Sequence, residues 1–137
     1  MRREIRLADG SVVQMNTASA MDVAFDATVR RLILRSGEIL VRTAPDPAHP
    51  AMARPFLVST ESGAIRTQDA RYTVRQTEKD CRVSVLDGAV EISPRHAPAQ
   101  RLRVTAGHCL RFDEAGADPV AALPAGAGEW ALSLIHI

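Results

Sequence analysis

Apolar and polar residues alternate along most of the chain, in short runs broken by Gly, Asp and Ser. A period of two is what a half-buried strand requires, and helical periodicity is weak throughout. The first case is Ile5-Arg6-Leu7, then Ala8-Asp9-Gly10, then Ser11-Val12-Val13-Gln14-Met15. A three-residue loop with a left-handed, bulged Gly10 sets Leu7 opposite Ser11 and Ile5 opposite Val13. A two-residue Asp9-Gly10 turn would set Ile5 against Gln14, so the apolar register selects the longer loop.

The same logic predicts two further hairpins. Val29–Ser36 and Gly37–Thr43 flank Ser36-Gly37, and pairing across it puts Leu32 and Leu34 opposite Val41 and Ile39. Ile33 then meets Leu40 on the other face, so both faces are apolar and the hairpin should be central, with Leu34 and Ile39 buried. Arg30, Arg31, Arg35 and Arg42 at its ends should stay solvated. The third hairpin, Arg82–Leu86 and Ala89–Ser93, surrounds Asp87-Gly88, a pair suited to a type I′ turn. That turn pairs Val85 with Val90 and Val83 with Ile92, leaving Ser84, Glu91 and Ser93 on a wetter face.

Further strands are predicted at Met21–Phe25, Phe56–Thr60, Ala64–Thr67, Arg71–Gln76, Leu102–Thr105 and His108–Phe112, with turns at Glu61-Ser62-Gly63 and Ala106-Gly107. The loop Pro45–Pro55 carries four prolines, which excludes a paired central strand there. Eleven of the fourteen residues from Ala115 to Gly128 are Ala, Gly or Pro, so this stretch reads as a linker leaving the compact domain by about Asp113. The expected class is all-β, an antiparallel β-sandwich or β-roll (or a barrel) of short hairpins, with turn glycines at Gly10, Gly37, Gly88 and Gly107. The expected organisation is one domain over residues 4–113, then a linker and tail over 114–137.

Composition narrows the function classes. The 137 residues suit one domain, and 46% hydrophobic with 24% charged residues excludes wholesale disorder. Aromatics are only 4%, namely Phe25, Phe56, Tyr72, Phe112 and Trp130, so the core must be aliphatic. A net charge of +1 argues against a nucleic-acid binder relying on bulk charge. All basic residues but Lys79 are arginines, alternating with acids and without interleaved aromatics, which reads as solvated faces. No apolar run approaches the ~20 residues of a membrane helix. Met1-Arg2-Arg3-Glu4-Ile5 has no apolar segment after it, so it is no signal peptide, although a piece of a larger exported protein would look the same. The two cysteines, Cys81 and Cys109, either form one bridge in an oxidising compartment or serve as small buried apolar residues.

Candidate chemistry is sparse. His49, His96, His108 and His136 lack the paired spacing of a metal site. His108 and Cys109 are strand neighbours pointing to opposite faces, so they cannot readily activate each other. The glycines form no phosphate-binding loop, and Ser84 and Ser93 have no His and Asp at nucleophile spacing. Asp9, Asp22, Asp26, Asp46 and Asp69 read as turn or solvated positions. No residue is assigned a catalytic, metal or cofactor role, and an enzyme is not expected.

Six phrases in order carry a family resemblance: Leu7–Asp26 (LADGSVVQMNTASAMDVAFD), Arg30–Asp46 (RRLILRSGEILVRTAPD), Ala53–Thr60 (ARPFLVST), Ala70–Gln76 (ARYTVRQ), Cys81–Ser93 (CRVSVLDGAVEIS) and Val104–Asp113 (VTAGHCLRFD). Together, from about Glu4 to Asp113, they resemble the periplasmic domain of FecR-type regulators, the single-pass inner-membrane anti-sigma factors of TonB-dependent cell-surface signalling. The resemblance also aligns Trp130 with a tryptophan the family carries just beyond. The resemblance implies a periplasmic β-module that receives the state of an outer-membrane ferric-siderophore or ferric-citrate receptor through that receptor's periplasmic signalling domain. It implies that an extracytoplasmic-function sigma factor for iron-uptake genes is contacted only through a cytoplasmic segment, which, like the membrane helix, is not among these residues.

Two departures stand out. Gln68-Asp69-Ala70 replaces the family's usual Leu-Gly-Thr before Arg71-Tyr72, and Asp69 is a poorer residue than glycine for a left-handed position. Trp130 is followed by Ala-Leu-Ser-Leu-Ile-His-Ile rather than a polar turn and a new strand, so the tail looks truncated or foreign to the family. The competing reading is a small β-domain that binds a glycan or cell-wall fragment without any sigma-factor role.

Overall fold

A computed structural model describes residues 3–7, 9–16, 19–44, 54–97 and 99–122. The strands are β1 (Arg3–Arg6), β2 (Val12–Met15), β3 (Ala20–Phe25), β4 (Arg30–Arg42), β5 (Phe56–Ser59) and β6 (Gly63–Thr67). After them come β7 (Ala70–Gln76), β8 (Cys81–Pro94), β9 (Leu102–Thr105), β10 (His108–Asp113), β11 (Gly116–Ala117) and β12 (Ala121–Ala122). No helix occurs among the described residues, so the fold is all-β.

Two sheets share two long strands. The front sheet runs β1-β2-β4-β7-β8-β10, with β11 and β12 both on β10. The back sheet runs β3-β4-β5-β6-β8-β9. Strand β4 lies in the back sheet over Arg30–Ser36 and in the front sheet from Gly37 on, whereas β8 starts in the front sheet and ends in the back one. Among the described residues all pairs are antiparallel except β4 with β5, where Arg30 aligns with Phe56. A parallel pair needs a crossover of about a dozen residues, and the proline-rich stretch from Thr43 to Pro55 supplies that length.

The second and third hairpins are therefore corrected: each is one continuous strand. Gly37 (φ 93°) and Gly88 (φ 77°) sit at bulges in mid-strand rather than at hairpin tips. The register shifts where Ala20 faces Ser36 but Met21 faces Leu34, and again where Arg71 faces Asp87 but Tyr72 faces Val85. One extra residue reverses the in–out phase of everything after it. Hence Leu32 and Leu34 face the core before the bulge, and Ile39 and Val41 face it afterwards, all four at 1% exposure or less. A tight hairpin produces the same phase reversal, so both structures share one hydrophobic pattern.

Partner strands decide between them. At Gly37 the backbone lies against Ser19, whose hydroxyl accepts the Glu38 N–H (2.9 Å) and donates to the Glu38 carbonyl (3.1 Å). At Gly88 the Asp69 carbonyl would be 2.5 Å from any Cβ. These contacts leave room only for glycine, and they bend each strand from one sheet into the other.

The first hairpin has Ile5 opposite Val13, with Gly10 at φ 89° and the Leu7 N–H donating to the Ser11 carbonyl (2.8 Å). Gly107 lies in the β9–β10 turn at φ 85°. The chain also does not leave the sheet at Asp113, because Ala117 pairs with Phe112 and Ala122 with His108. Short Ala and Gly side chains fit an edge against β10, where composition alone reads as linker. Residues 45–53 of the proline loop, His49, His136, Trp130 and the tail from 123 lie outside the described residues.

One aliphatic core fills the space between the sheets. Val13, Val41, Tyr72 and Val85 cross the front sheet in a row, and Leu32, Val58, Ile65 and Ile92 cross the back sheet. Phe56, Tyr72 and Phe112 are fully buried, and Phe25 meets Phe56 edge-on with centroids 6.1 Å apart.

Candidate functional site

The most buried polar cluster centres on Arg30, at the start of β4. Its guanidinium Nη1 donates to Asp9 Oδ2 and to the Ala44 carbonyl, both at 2.7 Å, while Nε donates to the Arg54 carbonyl at 3.0 Å. The two charged side chains are 0% and 1% exposed. Ser11 holds the carboxylate with its N–H (2.9 Å) and hydroxyl (2.8 Å), and its Oγ accepts the Ala44 N–H (2.9 Å). Phe56 lies under the guanidinium, 5.5 Å from its centroid. One arginine thus ties the β1–β2 turn to both ends of the segment between Ala44 and Arg54. This corrects the expectation that Arg30 is solvated; Asp9, expected as a turn or solvated position, is a turn residue whose carboxylate is buried against it, and the two are far apart in sequence.

A second polar cluster closes the β7–β8 turn. Gln76 Nε2 donates to the Thr77 and Asp80 carbonyls (2.8 and 3.0 Å) and to Ser62 Oγ (3.2 Å). Asp80 pairs with Arg111 of β10 at 2.5 Å. Burial alone would raise the Asp80 carboxyl, but hydrogen bonds from Thr77 and Arg111 and the nearby Arg111 and Arg82 charges outweigh it and hold it below the usual range.

The cysteines do not come together. Cys81 stands opposite Phe112, and Cys109 stands opposite Ser84, three positions away and on the other sheet face. Three strand residues span about 10 Å, beyond the reach of a disulfide, so of the two readings of Cys81 and Cys109 the geometry favours two free thiols. Burial pushes the Cys81 thiol up to about 12, and the Tyr72 phenol is likewise raised by burial. His108 and Cys109 point to opposite faces, and His96 pairs with Glu114 at the surface (3.1 Å). Among the described residues no three His, Cys, Asp or Glu side chains cluster as a metal site would require.

Two grooves open on the outer faces. One, of about 490 Å³, surrounds the Gly88 bulge and is lined by Arg42, Thr43, Asp69, Ala70, Arg71 and Asp87. The altered Gln68-Asp69-Ala70 turn therefore builds its wall: the Ala70 N–H donates to Thr43 Oγ1 (2.8 Å) and the Thr43 N–H to the Ala70 carbonyl (3.0 Å). The other, of about 390 Å³, lies on the back sheet, where Glu91 stands between Arg66 and Arg103. Both offer charged, open surface suited to contact with another molecule. The sequence alone could not show them, because each gathers side chains from three separate stretches.

Fold and surfaces define a two-sheet β-module whose exposed chemistry is arginine and carboxylate on strand faces. The chain belongs to the FecR family: the model described as "FecR protein" matches residues 1–91, more than half of the sequence. Two crystal structures of a "putative anti-sigma factor" from Parabacteroides distasonis ATCC 8503, at 1.65 and 2.50 Å resolution, share the fold. They superpose with TM-scores of 0.78 and 0.77 at 21% and 20% identity, covering 96% of this chain. The chain in turn spans 60% of each of those proteins. No curated protein sequence matches it. The family match ends inside β8, and beyond it the likeness to the two crystal structures is one of fold.

Proposed function

We propose that this FecR-family module is the periplasmic sensor of a single-pass inner-membrane anti-sigma regulator. It relays the state of an outer-membrane ferric-siderophore receptor to an extracytoplasmic-function sigma factor. The observation that carries the reading is the family match over residues 1–91. The architecture supports it, since two sheets joined through shared strands can pass on a contact without catalytic groups, provided a partner binds one state better. The receptor's periplasmic signalling domain is the direct partner, and the sigma factor is reached through the regulator's cytoplasmic segment.

The test is deletion of residues 4–113 from the regulator with its membrane helix kept. Sigma-factor activity should then no longer follow the iron–siderophore signal, read from a reporter of an iron-uptake promoter. Intact signalling after the deletion overturns the reading. Binding of glycan or cell-wall fragments by a module that ignores the receptor replaces it with ligand recognition.

A further inference from the structure

Strand β3 is an open edge of the back sheet. It pairs with β4 along one side, and no other described strand pairs with it. The ladder shows which backbone groups are left over. The Asp26 N–H donates to the Val29 carbonyl (3.0 Å), which makes 26 and 29 a hydrogen-bonded pair. Such pairs alternate along antiparallel strands, so Ala24 bonds with Arg31 and Asp22 with Ile33. Met21, Val23 and Phe25 then turn their N–H and C=O groups away from β4, toward the open side.

The side chains leave this edge unguarded. Met21 and Val23 stand opposite the buried Leu34 and Leu32 and so share the core face with Phe25, yet Val23 is 50% exposed. Sheet edges are ordinarily protected by basic residues, by proline or by extreme shortness. Edge strand β1 carries Arg3, Glu4 and Arg6, β9 carries Arg103 next to Arg101, and β11 and β12 have two residues each. Strand β3 has six residues, Asp22 as its one charge, and no proline.

We propose that β3 is the interface through which two copies of this protein pair, antiparallel and edge to edge, into one back sheet continuous across both. The strand is complementary to itself in one register. With Val23 on the two-fold axis opposite the partner's Val23, Met21 faces the partner's Phe25, and every open-side backbone group finds a mate. On the outer face Ala24 stands opposite the partner's Asp22. Arg31 is the neighbour of Ala24 on β4, so it looks over one small side chain at the partner's Asp22. Two strand spacings separate their α-carbons by about 10 Å, within the combined reach of the two side chains. Symmetry makes this bridge twice. Both ends are available: Arg31 has an electrostatic contact with Asp26 but no ion pair among the described residues, and its Nε is buried without a hydrogen-bond partner. Arg35 holds Asp22 through Oδ2, which leaves Oδ1 for a second cation. A slip of two residues either way keeps the backbone pattern but opposes Asp22 to the partner's Asp22 or to the partner's Asp26, so charge selects the register. One strand edge is a small contact, and the dimer should be weak and concentration-dependent. None of this rests on the signalling reading above.

The experiment measures self-association of the full chain by sedimentation velocity over a wide concentration range, with amide exchange followed at both ends of it. In the dimer the Met21, Val23 and Phe25 amides should become protected, whereas those of Asp22 and Ala24, already bonded to β4, should not change. Val23→Lys places like charges on the axis and should weaken the dimer about tenfold or more, while Thr105→Lys, the same charge change on edge strand β9, alters it less than about twofold. Arg31→Gln removes both bridges and should weaken it at least about threefold. Melting temperatures of the dilute variants should stay within about 5 °C of the parent's, which separates lost pairing from lost folding. A monomer at every concentration, or a dimer indifferent to Val23→Lys, overturns the proposal. A dimer lost with Val23→Lys but unchanged by Arg31→Gln overturns the register. Protection of the three amides only after addition of the receptor's periplasmic signalling domain overturns self-pairing and assigns the edge to that domain.

Discussion

Arg30 shows what a single buried charge contributes. Removing it leaves the Asp9 carboxylate without its cation in a dry site, which typically costs about 3–5 kcal/mol. Arg30→Ala should therefore lower the urea midpoint by that equivalent. Arg35→Ala, which breaks the exposed pair with Asp22 (2.6 Å), should cost less than about 1 kcal/mol. Equal losses for the two would contradict the buried clamp. The sequence shows Asp9 as a turn acid and Arg30 as a strand-end cation, both correct locally. That they meet depends on Arg30, at the start of β4, lying beside Ala44 just past its end, where β2 brings the Asp9 turn, a juxtaposition no local pattern encodes. The thiols separate in the same way: a thiol reagent should label half-buried Cys109 in the native protein, and Cys81 only on unfolding. Protection of both thiols until a reductant is added would restore the bridge.

At the level of elements, the strand positions were legible and the connections were not. Period-two alternation located β1, β2, β3, β5, β6, β7, β9 and β10 to within a residue or two. It misread Ser36-Gly37 and Asp87-Gly88 because a two-residue turn and a one-residue bulge reverse the same phase. Substitution separates the two structures. Asparagine suits a type I′ turn, so an exposed hairpin tip would tolerate Gly88→Asn. At this bulge the new Cβ meets the Asp69 carbonyl and Ala70, so Gly88→Asn and Gly37→Ala should each cost more than about 2 kcal/mol. Gly107 has the same sign of φ and open space around it, so Gly107→Ala should cost only about 1 kcal/mol. Thermal melts of the three variants check this order.

Taken whole, the molecule has one core lined by both sheets and two strands that belong to each. Neither sheet can lose its register without disturbing β4 and β8, so the sheets should unfold together. Urea curves followed by Tyr72 fluorescence in the front sheet and by far-ultraviolet dichroism should coincide, and core amides of β5 and β7 should exchange with similar free energies. Separated transitions would mean two independent bodies. The all-β class and the single aliphatic core were readable from alternation and from the scarcity of aromatics. The arrangement of the two sheets was not, since it depends on which distant strand arrives beside each glycine.

The two kinked strands also give the module mechanical character. A load applied to the front sheet passes along the backbone of β4 and β8 into the back sheet, through covalent bonds rather than through side-chain friction. Such a body works as a strut. Force or occupancy at one face is delivered to the other by displacement of the whole, with no need for either sheet to melt and reform.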